Sequence, residues 1–162
     1  DLNLLREGLA QFGGVARRFH YRGEKNGISF IDDYAHLPTE VSSVLQAAKE
    51  GDWGRIICIF QPHRYSRTQD FWSDFSHSFQ NADVVYVTGI YSAGESPIPG
   101  VSGRLIADTV RESESGKQVV YCEHRTELVD HIRSELTQGD LCLTLGAGDI
   151  TTLPTELMSG LA

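Results

Sequence analysis

The chain has 162 residues, of which 40% are hydrophobic, so it can bury the core of one domain and is not expected to be disordered. Its formal net charge of -8, with no run of lysine and arginine, argues against nucleic acid or a membrane as the main partner. No apolar run reaches the ~18–20 residues that span a bilayer, and Cys58, Cys122 and Cys142 lie in apolar runs, which predicts buried, reduced thiols and a cytoplasmic protein.

The first residues predict a helix, because Leu2, Leu5, Leu9 and Phe12 recur at helical spacing before Gly13-Gly14. The chain begins at Asp1 without methionine. We therefore expect residues 1–162 to be a single domain that belongs to a longer protein.

A β-hairpin is predicted next. Residues 16–22 and 28–32 flank a glycine-rich segment that ends in Asn26-Gly27, a strong turn signal. This hairpin would form one edge of the sheet that follows.

Short apolar runs then alternate with segments of helical spacing. The runs at residues 28–31, 56–60, 84–87, 119–121 and 141–145 predict buried strands. Four apolar stripes predict the helices between or after them, with Pro38 in the first turn of the first and Ser102 as N-cap of the third. The stripes are Val41, Val44, Leu45 and Ala48; Phe71, Trp72, Phe75 and Phe79; Leu105, Ile106, Thr109 and Val110; and Leu128, Val129, Ile132 and Leu136.

A short last helix is predicted over residues 152–158. The whole pattern predicts an α/β fold of Rossmann-like type. It would have a mostly parallel sheet of five to six strands with helices on both faces and the hairpin at its N-terminal edge.

Polar residues follow every predicted strand, and the carboxyl ends of parallel strands meet at one edge of such a sheet. His63, Arg64 and Arg67 come after the second run and can bind a carboxylate or phosphate near a helix start. The alternative is a solvated helix end with surface salt bridges. No acidic residue stands beside them in the sequence, which favours the anion site.

The other strand ends leave more alternatives open. Asp32 and Asp33 point to opposite faces of a strand, so one would brace the fold while the other faces a ligand or caps a helix. His36 would be a base, a ligand or a structural histidine. Gly146 and Gly148 would let the backbone approach a ligand or would form a tight turn.

Several motifs do not occur in the sequence. There is no G-x-x-x-x-G-K-[ST] phosphate loop, no zinc-type Cys/His spacing and no G-x-S-x-G. A protein that used ATP would therefore hold its phosphates mainly with another domain, and we expect no metal site here.

Five strings resemble, in order and spacing, the C-terminal domain of the Mur ligase family over nearly the whole chain. The family pattern has Gly-His-His where this chain has Ala35-His36-Leu37, a string that also resembles the ligases adding later residues of the peptide. The Pro62-His63-Arg64 string is most similar to the alanine-adding branch. The strings are residues 14–19, 32–41, 60–68, 93–98 and 146–150.

The resemblance implies an ATP-dependent ligase that joins L-alanine to UDP-N-acetylmuramate through an acyl phosphate, in peptidoglycan biosynthesis. An N-terminal domain would bind the UDP-sugar, and a central domain would hold most of ATP and Mg²⁺. This domain would contribute contacts on closure, hold no catalytic group and be inactive alone. The resemblance also implies which residues make contacts. ATP would be contacted by Arg18, Asp33 and Tyr34, and the amino acid by His63, Arg64 and Arg67. Further candidates are His36, Glu95, Gly146 and Gly148.

Two other classes compete with the ligase hypothesis. The first is a free-standing module that binds a nucleotide or a small anion. The second is a response-regulator-like protein, for which Asp32-Asp33 offers an acidic pair. That class also needs an acidic phospho-acceptor after a later strand, and Gln61 and Gly146 stand at the strand ends that follow.

Overall fold

The computed structural model describes residues 15–161, so the helix predicted over residues 2–12 lies outside the described residues. Six strands form one sheet in the order β1-β2-β6-β3-β4-β5. Only β1 is antiparallel to its neighbour, and the other pairs are parallel. This confirms the α/β fold with a mostly parallel sheet. The strands are β1 (His20–Lys25), β2 (Ile28–Asp33), β3 (Arg55–Phe60), β4 (Val84–Thr88), β5 (Gln118–Cys122) and β6 (Asp140–Leu145).

The hairpin is confirmed, but the predicted bounds of its first strand are wrong. β1 begins at His20 and continues to Lys25. Arg17 and Phe19 have positive φ angles, which interrupt the extended backbone before the strand. A register shift between Tyr21 and Gly23 places a bulge in β1. The last pair of the ladder joins Lys25 to Ile28, so the turn contains only Asn26-Gly27.

Helices cover both faces of the sheet, as predicted. α1, α3 and a 3₁₀ segment pack on one face, and α4 and α5 pack on the other. Within the described residues no helix is both long and apolar enough to cross a membrane. The helices are α1 (Pro38–Ala48), α2 (Tyr65–Phe71), α3 (Arg104–Ser113), α4 (Arg125–Glu135) and α5 (Leu153–Gly160), with 3₁₀ segments at Trp72–His77 and Asp149–Thr152.

The central strands are hydrophobic throughout because both of their faces are covered. Every residue of β6 is buried, and so is β3 after Arg55. Cys58 and Cys142 lie in these strands, and Cys122 ends β5. All three thiols are free and buried, which confirms the prediction, and burial raises their pKa values.

The second predicted stripe does not form one helix. α2 ends at Phe71, and the chain continues as 3₁₀ helix from Trp72. The change from 3.6 to about three residues per turn breaks the phase of the stripe. Phe75 and Phe79 are buried, whereas Phe71 and Trp72 are 41% and 39% exposed.

The predicted N-cap of α3 is also wrong. Gly103 occupies the cap position, and no side chain caps the helix. A side chain at Gly103 would collide with the carbonyl oxygen of Thr88, so the start of α3 can approach the end of β4 only without a Cβ atom. Pro38 does occupy the first turn of α1, as predicted.

At the amino edge of the sheet an ion pair joins the starts of β3 and β6. Asp140, 2% exposed, accepts hydrogen bonds from Arg55 Nε at 2.9 Å and Nη2 at 2.7 Å. It also accepts one from the backbone N–H of Thr137 at 2.8 Å. The carboxylate thus stabilises the turn before β6 and the pairing of the two strands.

We expect Asp140→Ala to lower the free energy of unfolding by about 2–3 kcal/mol, because the Thr137 amide and the Arg55 guanidinium lose a buried acceptor. Urea unfolding followed by circular dichroism measures this change. Glu24→Ala, on the exposed hairpin, is the control and should change it by less than about 0.5 kcal/mol. A loss below that value for Asp140→Ala would contradict the structural role of the pair.

Candidate functional site

The loops that follow the five parallel strands meet at the carboxyl edge of the sheet. The rings of His36, after β2, and His63, after β3, are 5.7 Å apart. The ring of Tyr91, after β4, stacks on His63 at 5.6 Å. Arg125, at the start of α4 after β5, donates to the carbonyl oxygen of Asp149, after β6, at 3.3 Å. The predicted convergence of polar loops is confirmed.

Asp32 braces the fold from within. It is fully buried and accepts hydrogen bonds from the hydroxyl groups of Thr144 at 2.9 Å and Thr151 at 2.6 Å. The guanidinium groups of Arg17 and Arg22 lie 3.4 and 3.7 Å from its Oδ2 atom. The bracing role predicted for one member of the aspartate pair therefore belongs to Asp32.

Asp33 points to the other side of the strand and binds backbone. Its two oxygens accept hydrogen bonds from the N–H groups of Phe19 and Ala35, both at 2.7 Å. Asp33 thus fixes the segment before β1 against the loop after β2. Each carboxylate oxygen keeps a further acceptor position, and the predicted ribose contact stays a prediction.

Tyr34, 36% exposed, lies between two arginines at this edge. The guanidinium of Arg17 is 4.8 Å from the centre of its ring, and that of Arg18 is 5.7 Å away. Arg17 also donates to the carbonyl oxygens of Gly146 at 2.5 Å and Gly148 at 3.2 Å. The side chain of Arg17 is therefore held in place, whereas the guanidinium of Arg18 has no ion pair or hydrogen bond to a described residue.

His36 lies at the start of α1, where Glu40 caps the helix by accepting hydrogen bonds from the N–H groups of His36 and Leu37. The Nδ1 atom of His36 is 3.0 Å from the carbonyl oxygen of Tyr34 and 3.5 Å from Glu40. Of the three alternatives for His36, these contacts favour a structural histidine.

The surroundings of His63 favour its neutral form and one tautomer. Burial, followed by the charge of Arg67, lowers the pKa of His63 below its usual value. Arg67 Nη1 is 2.9 Å from His63 Nδ1, and because a guanidinium can only donate, Nδ1 accepts and the ring proton is on Nε2. Nε2 has no hydrogen-bond partner among the described residues, so it remains available as a donor.

Arg64 has an acidic partner that the sequence neighbourhood did not reveal. Its Nη1 atom is 3.4 Å from Oε1 of Glu95, which lies after β4. No acidic residue stands beside the arginine loop in the sequence, but the fold supplies Arg64 with a carboxylate from 31 positions away. Arg67 forms no ion pair with a described carboxylate.

The two glycines after β6 pack against the protein itself. A Cβ atom on Gly146 would lie 3.0 Å from the carbonyl oxygen of Gln61. One on Gly148 would lie 2.5 Å from both the Gln61 side chain and the Tyr91 ring. The tight turn thus explains both glycines, and a ligand contact at either stays a prediction.

Two depressions open at this edge. A groove of about 370 Å³ lies on the α1 side, and a cleft of about 300 Å³ lies between the ends of β3 to β6. Within residues 15–161 no cluster of three His, Cys, Asp or Glu residues could hold a metal ion. The groove is lined by Arg18, Asp33, Ala35, Thr39, Glu40 and Ser43, among others, and the cleft includes Gln61, Tyr91, Glu123, Arg125 and Asp149.

The family model described as "Mur ligase, glutamate ligase domain" matches residues 17–148, which include all five loops of this edge. The chain belongs to the Mur ligase family. This Mur ligase chain is 48% identical over 157 residues to the UDP-N-acetylmuramate–L-alanine ligase of Myxococcus xanthus, and the match covers 97% of the chain and 33% of that relative.

Solved structures agree with this assignment. The UDP-N-acetylmuramate–alanine ligase MurC of Thermotoga maritima superposes with a TM-score of 0.75 at 31% identity, over 98% of this chain and 33% of that one. The MurF ligase of Thermotoga maritima, in complex with ADP, has the same fold, with a TM-score of 0.64, 18% identity and coverage of 99% and 36%. This Mur ligase chain thus spans about a third of the length of these relatives.

Three residues with contacts at this edge were not among the site residues predicted from the sequence. The sequence pointed to Arg18, but it is Arg17 that contacts Asp32 and the loop after β6. Gln61 joins two loops by donating to Asp149 at 2.7 Å and accepting from Ile150 N–H at 3.2 Å. Tyr91 stacks on His63. Only the position of Gln61, directly after a buried strand, gave a signal in the sequence.

We expect Arg67→Gln to raise the pKa of His63 part of the way towards the usual value of about 6.5, because a nearby positive charge is lost while burial remains. NMR titration of the imidazole resonances measures this shift. Arg111→Gln, at the opposite edge of the sheet, is the control and should leave the pKa unchanged. A wild-type pKa at or above the usual value would contradict the described contact.

Proposed function

We propose that this chain is the C-terminal domain of an ATP-dependent ligase that joins L-alanine to UDP-N-acetylmuramate. One observation carries the proposal. Arg67 and His63 present unpaired donors at the same edge as the exposed Arg18 and Tyr34. This edge therefore suits a carboxylate and a nucleotide side by side. One relative named as an alanine ligase is 48% identical to the chain, and the solved structure of another shares its fold at 31% identity.

The amino-acid side would be formed by the loop after β3. Arg67 carries a full positive charge without an acidic partner among the described residues, and His63 Nε2–H is a neutral donor beside it. Together they match the two oxygens of the alanine carboxylate. Because both groups donate, this arrangement favours the carboxylate end of alanine and leaves its amine free to react.

The nucleotide side would be the groove between Arg18 and α1. Arg18 is exposed, and its guanidinium forms no hydrogen bond or ion pair with a described residue that would keep it from a phosphate. It lies over the Tyr34 ring, and its charge contributes to lowering the pKa of Glu40. Asp33 has acceptor capacity left for a ribose hydroxyl, and Tyr34 offers an aromatic face. The ADP complex of the related MurF ligase supports nucleotide binding by ligases with this fold.

In the proposed reaction ATP phosphorylates the lactyl carboxylate of the sugar, and the amine of alanine displaces phosphate from the acyl phosphate. This domain's residues hold the nucleophile and neutralise charge, which is catalysis by positioning. Mg²⁺, the UDP-sugar and most of ATP would be bound by the N-terminal and central domains of the same protein. Closure of the three domains would then assemble the site.

We expect Arg67→Ala in the full-length ligase to raise the KM for L-alanine about tenfold to a hundredfold, because the alanine carboxylate loses a charged hydrogen bond worth ~1.5–3 kcal/mol. Alanine-dependent release of phosphate from ATP measures this, with the KM for ATP as an internal comparison. Arg111→Ala is the matched control because Arg111 lies at the far edge of the sheet. Unchanged alanine kinetics in a folded Arg67→Ala enzyme would remove the carboxylate role.

A further inference from the structure

The carboxylate of Glu95 crosses from the loop after β4 to the start of α2. Its Oε2 atom accepts a hydrogen bond from the backbone N–H of Ser66 at 3.0 Å. Its Oε1 atom accepts one from the Ser66 hydroxyl at 2.7 Å and lies 3.4 Å from Arg64 Nη1. These hydrogen bonds, the first from the Ser66 backbone, lower the pKa of Glu95, so it is ionised at neutral pH.

The loop that Glu95 holds has a strained backbone. Arg64 has a φ angle of +74°, a conformation that is strained for a non-glycine residue and persists only when neighbouring contacts enforce it. Hydrogen bonds with the loop after β4 hold the backbone on both sides of Arg64. The Arg64 N–H donates to the carbonyl oxygen of Tyr91 at 2.8 Å, and Glu95 binds Ser66 on the other side.

The same carboxylate makes the two arginines unequal. Arg64 forms an ion pair with Glu95, whereas the guanidinium of Arg67 has His63 as its one hydrogen-bond partner among the described residues. A carboxylate ligand entering between them would meet repulsion from Glu95 on the Arg64 side. It would meet an uncompensated cation on the Arg67 side.

We propose that Glu95 is a positioning residue of the amino-acid site, which fixes the loop from His63 to Arg67 and directs the alanine carboxylate to Arg67 and His63 instead of Arg64. This inference rests on the proposed function. It differs from a role as an internal competitor, in which Glu95 would occupy the place of the ligand carboxylate. The two roles predict opposite effects when the charge of Glu95 is removed.

The test is Glu95→Gln in the full-length ligase, assayed by alanine-dependent phosphate release. We expect the KM for L-alanine to rise about tenfold, as for loss of a charged capping contact, with the KM for ATP within about twofold of wild type. Ser66→Ala, which removes only the hydroxyl donor, should give a smaller rise. Asp70→Asn is the matched control, because Asp70 is an exposed carboxylate of α2 with no ion pair or hydrogen bond to a described residue.

A second readout does not depend on activity. Amide hydrogen exchange at Ser66 should be faster in Glu95→Gln than in wild type, because its carboxylate acceptor is weakened. An unchanged or lower KM for L-alanine in Glu95→Gln and Ser66→Ala would overturn the positioning role while the proposed function stands. A wild-type enzyme without alanine-dependent turnover would instead overturn the proposed function, and the inference with it.

Discussion

The pairing of β6 with both β2 and β3 is the constraint on which the site depends. β6 is the last strand in the chain, but it lies between β2 and β3 in the sheet. It runs parallel to β2 over five residue pairs and to β3 over six. Its end therefore emerges between the aspartate loop and the arginine loop. The backbone N–H of Gly146 donates to the carbonyl oxygen of Asp33, and that of Gln61 donates to the carbonyl oxygen of Leu145. The hydrogen-bond ladder therefore continues into the loops on both sides of β6. Without this order, the aspartate loop and the arginine loop, which we propose as the nucleotide and amino-acid sides, would not share an edge.

The same strand order decides which arginines at this edge form ion pairs. Asp32, which is buried, compensates Arg17 and Arg22, and Glu95 compensates Arg64. Arg18 and Arg67 have no ion pair with a described carboxylate, and they stand on the two sides of the edge. Arg17, Arg22 and Arg64 are thus paired with carboxylates of the fold, and Arg18 and Arg67 are among the cations left for anionic ligands. This distribution is what a domain requires if it completes a site by closing over substrates bound elsewhere.

The sheet and its helices could be predicted because buried parallel strands leave an unmistakable apolar pattern, as at residues 56–60 and 141–145. The failures lie where a local pattern competes with tertiary contacts. The aromatic stripe from Phe71 crosses a change of helix type, and α3 starts at Gly103 because the Thr88 carbonyl leaves no room for a side chain. The arginine loop was found by composition and spacing. Its pairing with Glu95, and the choice of Arg17 over Arg18 as the internal anchor, depend on loops brought together only by folding.

The most direct test of the account is a crystal structure of the full-length ligase with L-alanine and a non-hydrolysable ATP analogue. We predict the alanine carboxylate in hydrogen-bonding contact with Arg67 and His63 Nε2, with Glu95 still bound to Ser66 and the nucleotide ribose beside Asp33. A structure with alanine bound away from the loop after β3, or with its carboxylate on Arg64 and Glu95 displaced, would contradict it.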